Sequence, residues 1–143
     1  RGARELLGEG ALFVVGADVA KEPSVLIPAY DDAQGVTAAF NRNVLVHINR
    51  ELDGTFDPAA FAHRAVWNAD ESRIEMHLES VRDQIVMVGD HGFRFAAGET
   101  IHTENSYKYR PEAFDAIARR AGWTVARRWI SEDPTFGVYL LTA

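Results

Sequence analysis

Cysteine is absent from the sequence, which excludes a disulfide framework, a zinc–thiolate site and a cysteine nucleophile. That fits a reducing compartment, and the cytoplasm is the expected location. Long apolar runs are missing too. The longest, such as Ala11–Val15, are far too short to cross a bilayer, and no basic-then-apolar signal segment opens the chain. Basic charge is in deficit: Lys and Arg number 15 against 21 Asp and Glu, a net charge of -6. A nucleic-acid surface needs the opposite balance, so neither nucleic acid nor a membrane is an expected partner. No phosphate-binding glycine loop follows a strand, since Val15-Gly16-Ala17-Asp18 holds one glycine only. The histidines His47, His63, His77, His91 and His102 show no His-x-x-x-His or zinc-finger spacing, so no metal site is expected. Ser106 lacks the flanking glycines of a nucleophile elbow, which argues against a hydrolase triad.

What is present is enough chain, 143 residues, to bury a core. It starts at Arg1 in helical sequence, and Arg1 to Leu7 reads as the last turns of a helix stopped by Gly8 and Gly10. Such a start, with no cofactor loop, leads to the expectation that this is a piece lacking an N-terminal, cofactor-binding half. The continuous apolar run from Ala11 to Asp18 has the pattern of a strand buried on both faces of a parallel sheet. Asp18 then stands at the strand's C-terminal end, where open α/β sheets place ligands; a helix or turn cap is the other reading. At the far end, Pro111 begins a helix with Phe114, Ile117 and Ala118 on one face, closed by Gly122. Trp123 to Ile130 and Phe136 to Leu141 read as strands joined by the turn Ser131-Glu132-Asp133-Pro134, hence antiparallel.

The middle breaks the αβ rhythm. Pro23 opens a short helix through Tyr30, and Asp31-Asp32 offer caps for a longer one ending at Asp53-Gly54. In that helix Val36, Phe40, Val44, Ile48 and Leu52 recur every four residues and are expected to form one apolar stripe. Asp57-Pro58 starts another short helix. Ala62–Trp67, Arg73–Leu78, Gln84–Val88 and Phe93–Ala96 alternate as antiparallel strands.

The stretch Thr103-Glu-Asn-Ser-Tyr-Lys-Tyr-Arg110 completes that set. Read as a strand, it puts His102, Glu104, Ser106 and Lys108 on one face. A carboxylate and a hydroxyl at that spacing can grip a small heteroatom ring; an ordinary solvated edge strand is the alternative. This string resembles the substrate-recognition motif of the histidine-specific Nα-methyltransferases, the S-adenosylmethionine (SAM) enzymes of ergothioneine biosynthesis. Ala29-Tyr30-Asp31-Asp32, the stretch from Gly35 to Asn43, and Arg73-Ile74-Glu75-Met76 resemble further stretches of that family, in the same order.

The resemblance implies an α/β fold: the C-terminal half of a class I (Rossmann-like) methyltransferase sheet with an inserted α+β substrate-binding subdomain. Residues 1–20 and 110–143 would form the partial methyltransferase domain, and residues 21–109 the inserted subdomain. It implies methylation of the α-amine of free L-histidine to the trimethylated betaine, with SAM bound mainly by the absent N-terminal part of the same polypeptide. Glu104 and Ser106 match the residues that bind the imidazole, and Tyr30 matches one that holds the amino-acid backbone end. Thr37 and Met76 match lining positions. The family's asparagine for the amine and carboxylate, and its N-terminal tyrosines, fall in the absent part. The residues alone also read otherwise: Tyr30 as a helix-end aromatic, Thr37 as a first-turn hydroxyl, Met76 as core. A non-catalytic amino-acid-binding or interaction module, or a methyltransferase for another aromatic amino acid, are the alternative functions.

Overall fold

The computed structural model describes residues 1–133 and 135–143. Four α-helices, a 3-10 turn at Pro58–Ala60 and eight strands follow in the order α1 (Gly2–Leu7), β1 (Leu12–Asp18), α2 (Pro23–Tyr30), α3 (Val36–Glu51), the 3-10 turn, β2 (Phe61–Asn68), β3 (Arg73–Ser80), β4 (Gln84–Val88), β5 (His91–Phe95), β6 (Thr100–Tyr107), α4 (Pro111–Arg120), β7 (Thr124–Ile130) and β8 (Phe136–Thr142). They fall into two compact units, Arg1–Lys21 with Tyr107–Ala143, and Glu22–Ser106. No helix among the described residues is long and apolar enough to cross a membrane.

The first unit is a three-stranded sheet in the order β1-β8-β7. Pro111 sits at the start of α4, where its missing N–H costs nothing. Gly122 ends that helix at φ +86°, a left-handed conformation that glycine adopts without strain. Phe114 and Ala118 of α4 then pack with Trp123, Tyr139 and Leu141, the Phe114 and Tyr139 rings lying 4.0 Å apart. Pro134, in the turn expected between β7 and β8, lies outside the described residues.

Two expectations for this unit are corrected. β1 pairs antiparallel with β8 over its whole length, from Leu12↔Thr142 to Asp18↔Phe136. It is not buried on both faces either: Phe13, Val15 and Ala17 turn toward the core, whereas Leu12 and Val14 are exposed. A continuous apolar run has no periodicity from which to read the partner's direction. Lys108, expected to share a strand face with Glu104 and Ser106, lies beyond the end of β6. Its side chain is fully buried and its ammonium meets Asp18.

The second unit holds the sheet β2-β3-β6 and the separate hairpin β4-β5. On β3 burial alternates strictly, with Ile74, Met76, Leu78 and Ser80 inward. Leu45 of α3 joins Leu78, Phe61, Phe56 and Val86 in one core, where the rings of Phe56, Phe61 and Phe95 make mutual contacts at 5.4–6.2 Å. The stripe expected on α3 is not its buried face. Val36, Phe40, Val44 and Leu52 are exposed, and Asn41 and Leu45 are buried, with Ile48 against the same core. Each step of four residues overshoots a full turn by about 40°, so a stripe from residue 36 to 52 rotates by about 160°. The 41/45/48 spacing stays on one side.

Candidate functional site

The site is built where α2 ends and β6 runs through the second unit. α2 is an eight-residue helix that begins on Pro23 and carries Pro28 inside it. A proline there removes one helical hydrogen bond and crowds the preceding turn, so the last turn of this short helix depends on outside support. Tyr30 is its final residue. Two residues on, Asp32 anchors the start of α3 by accepting from the backbone N–H of Val36 at 3.0 Å and of Thr37 at 2.8 Å. The Thr37 backbone bond, then the Thr37 side chain and the Val36 N–H, hold the Asp32 carboxyl down at about 2.

The structure brings Tyr30 and Ser106 together: their hydroxyl oxygens lie 2.7 Å apart. Glu104, two residues earlier on β6, lines a cavity of about 340 Å3 with Thr103 and with Phe40, Asn41, Asn43, Val44 and His47 of α3. The strict two-residue alternation expected for this strand does not hold. Ile101, Thr103 and Ser106 are half-buried, whereas Glu104 and Asn105 are both exposed. Glu104 is thus more open to solvent than Ser106. Of the five candidates only Glu104 is in the cavity lining; Tyr30, Ser106, Thr37 and Met76 are not. The Thr37 side chain is bonded to Asp32, and Met76 is buried at 3 % exposure on the core side of β3. The Met76 carbonyl accepts the Thr103 hydroxyl at 2.9 Å, which fixes β6 one residue before Glu104.

Phe40, Asn41, Asn43 and His47 were not singled out from the sequence as site residues. Neither was His63, whose ring reaches the Tyr30 carbonyl at 2.7 Å. An exposed phenylalanine and a buried asparagine one position apart on one helix is the signal that marks the cavity wall.

A further cluster, Glu75, His77 and His102, places its potential ligand atoms within 4.8 Å of one another. Sequence spacing could not show it, because His102 comes from the neighbouring strand. The Glu75 carboxylate is already engaged: it accepts from Arg73 at 2.6 and 2.8 Å, Asn68 at 2.9 Å and His77 at 3.2 Å. Arg73 first, then Asn68 and His77, hold its carboxyl at about 2. A metal ion would meet the Arg73 guanidinium, and the two imidazoles are stacked at 4.5 Å rather than converging on a point. The cluster is an ion-pair network.

In the first unit, Asp18 is an ion-pair partner, which is neither the ligand-end role nor the cap considered for it. It accepts from Lys21 at 2.7 Å, from the buried Lys108 at 3.1 Å and from the Val19 N–H at 2.9 Å. Burial alone would raise its carboxyl; the hydrogen bonds and charges of Lys21 and Lys108 outweigh that and lower it.

Comparison with known proteins gives one consistent result. The family described as "Histidine-specific methyltransferase, SAM-dependent" matches residues 1–143. A histidine N-alpha-methyltransferase of Mycolicibacterium smegmatis is 46% identical over 138 residues, 95% of this chain and 43% of the relative. Another of the same name from Mycobacterium tuberculosis is 47% identical over 133 residues, 92% of this chain and 41% of the relative. The N-methyltransferase fsqC of Aspergillus fumigatus is 30% identical over 137 residues, 94% of this chain and 36% of the relative. The chain thus spans about two-fifths of the length of these relatives.

Proposed function

The chain belongs to the histidine-specific, SAM-dependent methyltransferase family, and from that membership we propose that it holds free L-histidine in an enzyme that methylates the α-amine. The observation that carries the reading is the meeting of Tyr30 and Ser106 at 2.7 Å, in the unit where Glu104 of the same strand lines a cavity. A neutral imidazole has one N–H donor and one acceptor nitrogen. The Glu104 carboxylate accepts the N–H, the Ser106 hydroxyl serves the other nitrogen, and Tyr30 steadies the amino-acid end. Phe40 and Val44 give the ring an apolar wall. Thr37 and Met76 act at one remove, Thr37 through Asp32 at the head of α3 and Met76 through Thr103.

The antiparallel order β1-β8-β7 after α4 supports reading the first unit as the end of a class I methyltransferase sheet. The second unit, which the chain enters after Lys21 and leaves at Ser106, is its inserted substrate-binding subdomain. SAM is held mainly by polypeptide outside these residues, as the greater length of the relatives supports. The contribution of the described residues is selection and orientation of the amine, through successive methylations to the trimethylated product. The enzyme acts in the cytoplasm.

Replacing Glu104 with alanine in the complete enzyme tests this. Losing a charge-assisted hydrogen bond, typically about 1.5–3 kcal/mol, should lower kcat/KM for histidine about tenfold to hundredfold. Selectivity against tryptophan should relax, because an indole, with no acceptor nitrogen, matches the Glu104–Ser106 pair less well than an imidazole does. SAM affinity, measured by calorimetry, should not change. A variant that keeps its histidine constant within about a factor of two, against that expected loss, refutes the assignment.

A further inference from the structure

A chain of hydrogen bonds runs from the interior of the second unit to the Tyr30–Ser106 pair. Asn41, 4 % exposed on α3, has its side-chain nitrogen 3.2 Å from the His77 carbonyl and 3.0 Å from His63 Nδ1. His63 Nε2 lies 2.7 Å from the Tyr30 carbonyl, and the Tyr30 hydroxyl lies 2.7 Å from Ser106 Oγ. The donors can be assigned by accounting. A carbonyl only accepts, so His63 Nε2 carries a proton and gives it to Tyr30. The His77 carbonyl likewise requires the Asn41 NH2, not its oxygen, on that side. The same NH2 faces His63 Nδ1, which must then offer a lone pair. Both Asn41 protons are used, and His63 is the neutral Nε2–H tautomer.

The carbonyl that His63 holds closes α2. The last carbonyls of a helix have no partner within it, and α2 is short and interrupted by Pro28. Resting on the substrate site proposed above, we infer that His63 is a positioning residue for substrate recognition. Locked in one tautomer by Asn41, it pins the end of α2 and so sets where the Tyr30 hydroxyl meets Ser106. The ring touches no substrate atom. Its effect on histidine passes through Tyr30.

Paired substitutions in the complete enzyme test this, read by calorimetric affinity for L-histidine. Glutamine places an amide N–H near the position of Nε2, and asparagine one near Nδ1. His63→Gln keeps the donor to Tyr30 and should bind histidine within about threefold of wild type, while His63→Asn, too short to reach the carbonyl, should lose about tenfold or more, as expected when a binding group is misplaced. Both variants are polar and of similar bulk, so a loss common to both, matched by equal falls in melting temperature, assigns His63 a structural role only and overturns the inference. Equal, unimpaired binding by both overturns it as well. In a Tyr30→Phe background the His63→Asn loss should shrink to about threefold or less, because coupled residues are not additive; an undiminished loss shows that His63 does not act through Tyr30. Ser106→Ala separates the two readings. If Tyr30→Phe and Ser106→Ala both leave histidine affinity intact, the proposed site fails; if they weaken it and His63→Asn does not, only the role of His63 fails.

Discussion

Asp18 and Lys108 make the sharpest stability prediction. The Lys108 side chain has no exposure, whereas that of Asp18 is 22% exposed and also bonds Lys21. The two ends of the pair are therefore unequal. Asp18→Asn removes the carboxylate facing a fully buried ammonium, the change that typically costs about 3–5 kcal/mol. The asparagine oxygen can still accept one hydrogen bond, so the low end, about 3 kcal/mol, is expected. Lys108→Met removes the buried charge itself and leaves Asp18 with Lys21 and some water, so it should cost only about 1 kcal/mol. The double variant should be less destabilised than the sum of the two. The pH dependence has a definite sign. The folded Asp18 carboxyl lies below its ordinary 3.8, so its contribution is fully present above that value and is lost as pH falls through the lowered one. Urea titrations at neutral pH and along the acid limb measure both effects. Asp18→Asn within about 0.5 kcal/mol of wild type, or Lys108→Met costing more than Asp18→Asn, would refute this account of the pair.

Tyr139 is fully buried and its hydroxyl has no hydrogen-bond partner among the described residues, so Tyr139→Phe should be neutral or stabilising by up to about 1 kcal/mol in a urea melt. Gly137→Ala should destabilise by about 1–3 kcal/mol, because a Cβ there would sit 2.7 Å from the Tyr139 ring and 3.2 Å from the Ala17 carbonyl; an unchanged midpoint would contradict that close approach. Asp32→Ala should lower the melting temperature at neutral pH, with the difference fading as pH falls from 3.8 toward about 2, where the wild-type carboxyl itself protonates.

The punctuation of the chain was legible because it depends on single residues with fixed backbone habits. Pro23 and Pro111 start helices where expected, and Gly122 with its positive φ ends one. Hairpin pairing also followed from spacing: Gln84–Val88 pairs with the next strand, although that strand runs His91–Phe95 rather than the expected Phe93–Ala96. Partner direction did not. The run from Ala11 to Asp18 is equally apolar beside a parallel or an antiparallel neighbour, and only the chain's return through β8 decides it. Lys108 was misplaced because alternation says which way a residue points only while the strand lasts, and β6 ends at Tyr107.

At the candidate site, long-range convergence is what the residues alone could not show. Tyr30 and Ser106 are 76 residues apart, and nothing in either segment names the other. Asn41 is the more instructive miss, because its neighbourhood carried a signal. Reading α3 in steps of four put Phe40 and Val44 on the buried face and left Asn41 out of it. Reading it as 41, 45 and 48, a spacing that does not drift around the helix, puts an asparagine in line with Leu45 and Ile48. A polar side chain in a buried stripe must find partners or destabilise the fold, so that frame alone obliges Asn41 to bond inward. Its bonds to His63 and the His77 carbonyl are what that obligation becomes in three dimensions. The misjudged stripe and the unseen positioning network thus have a single cause.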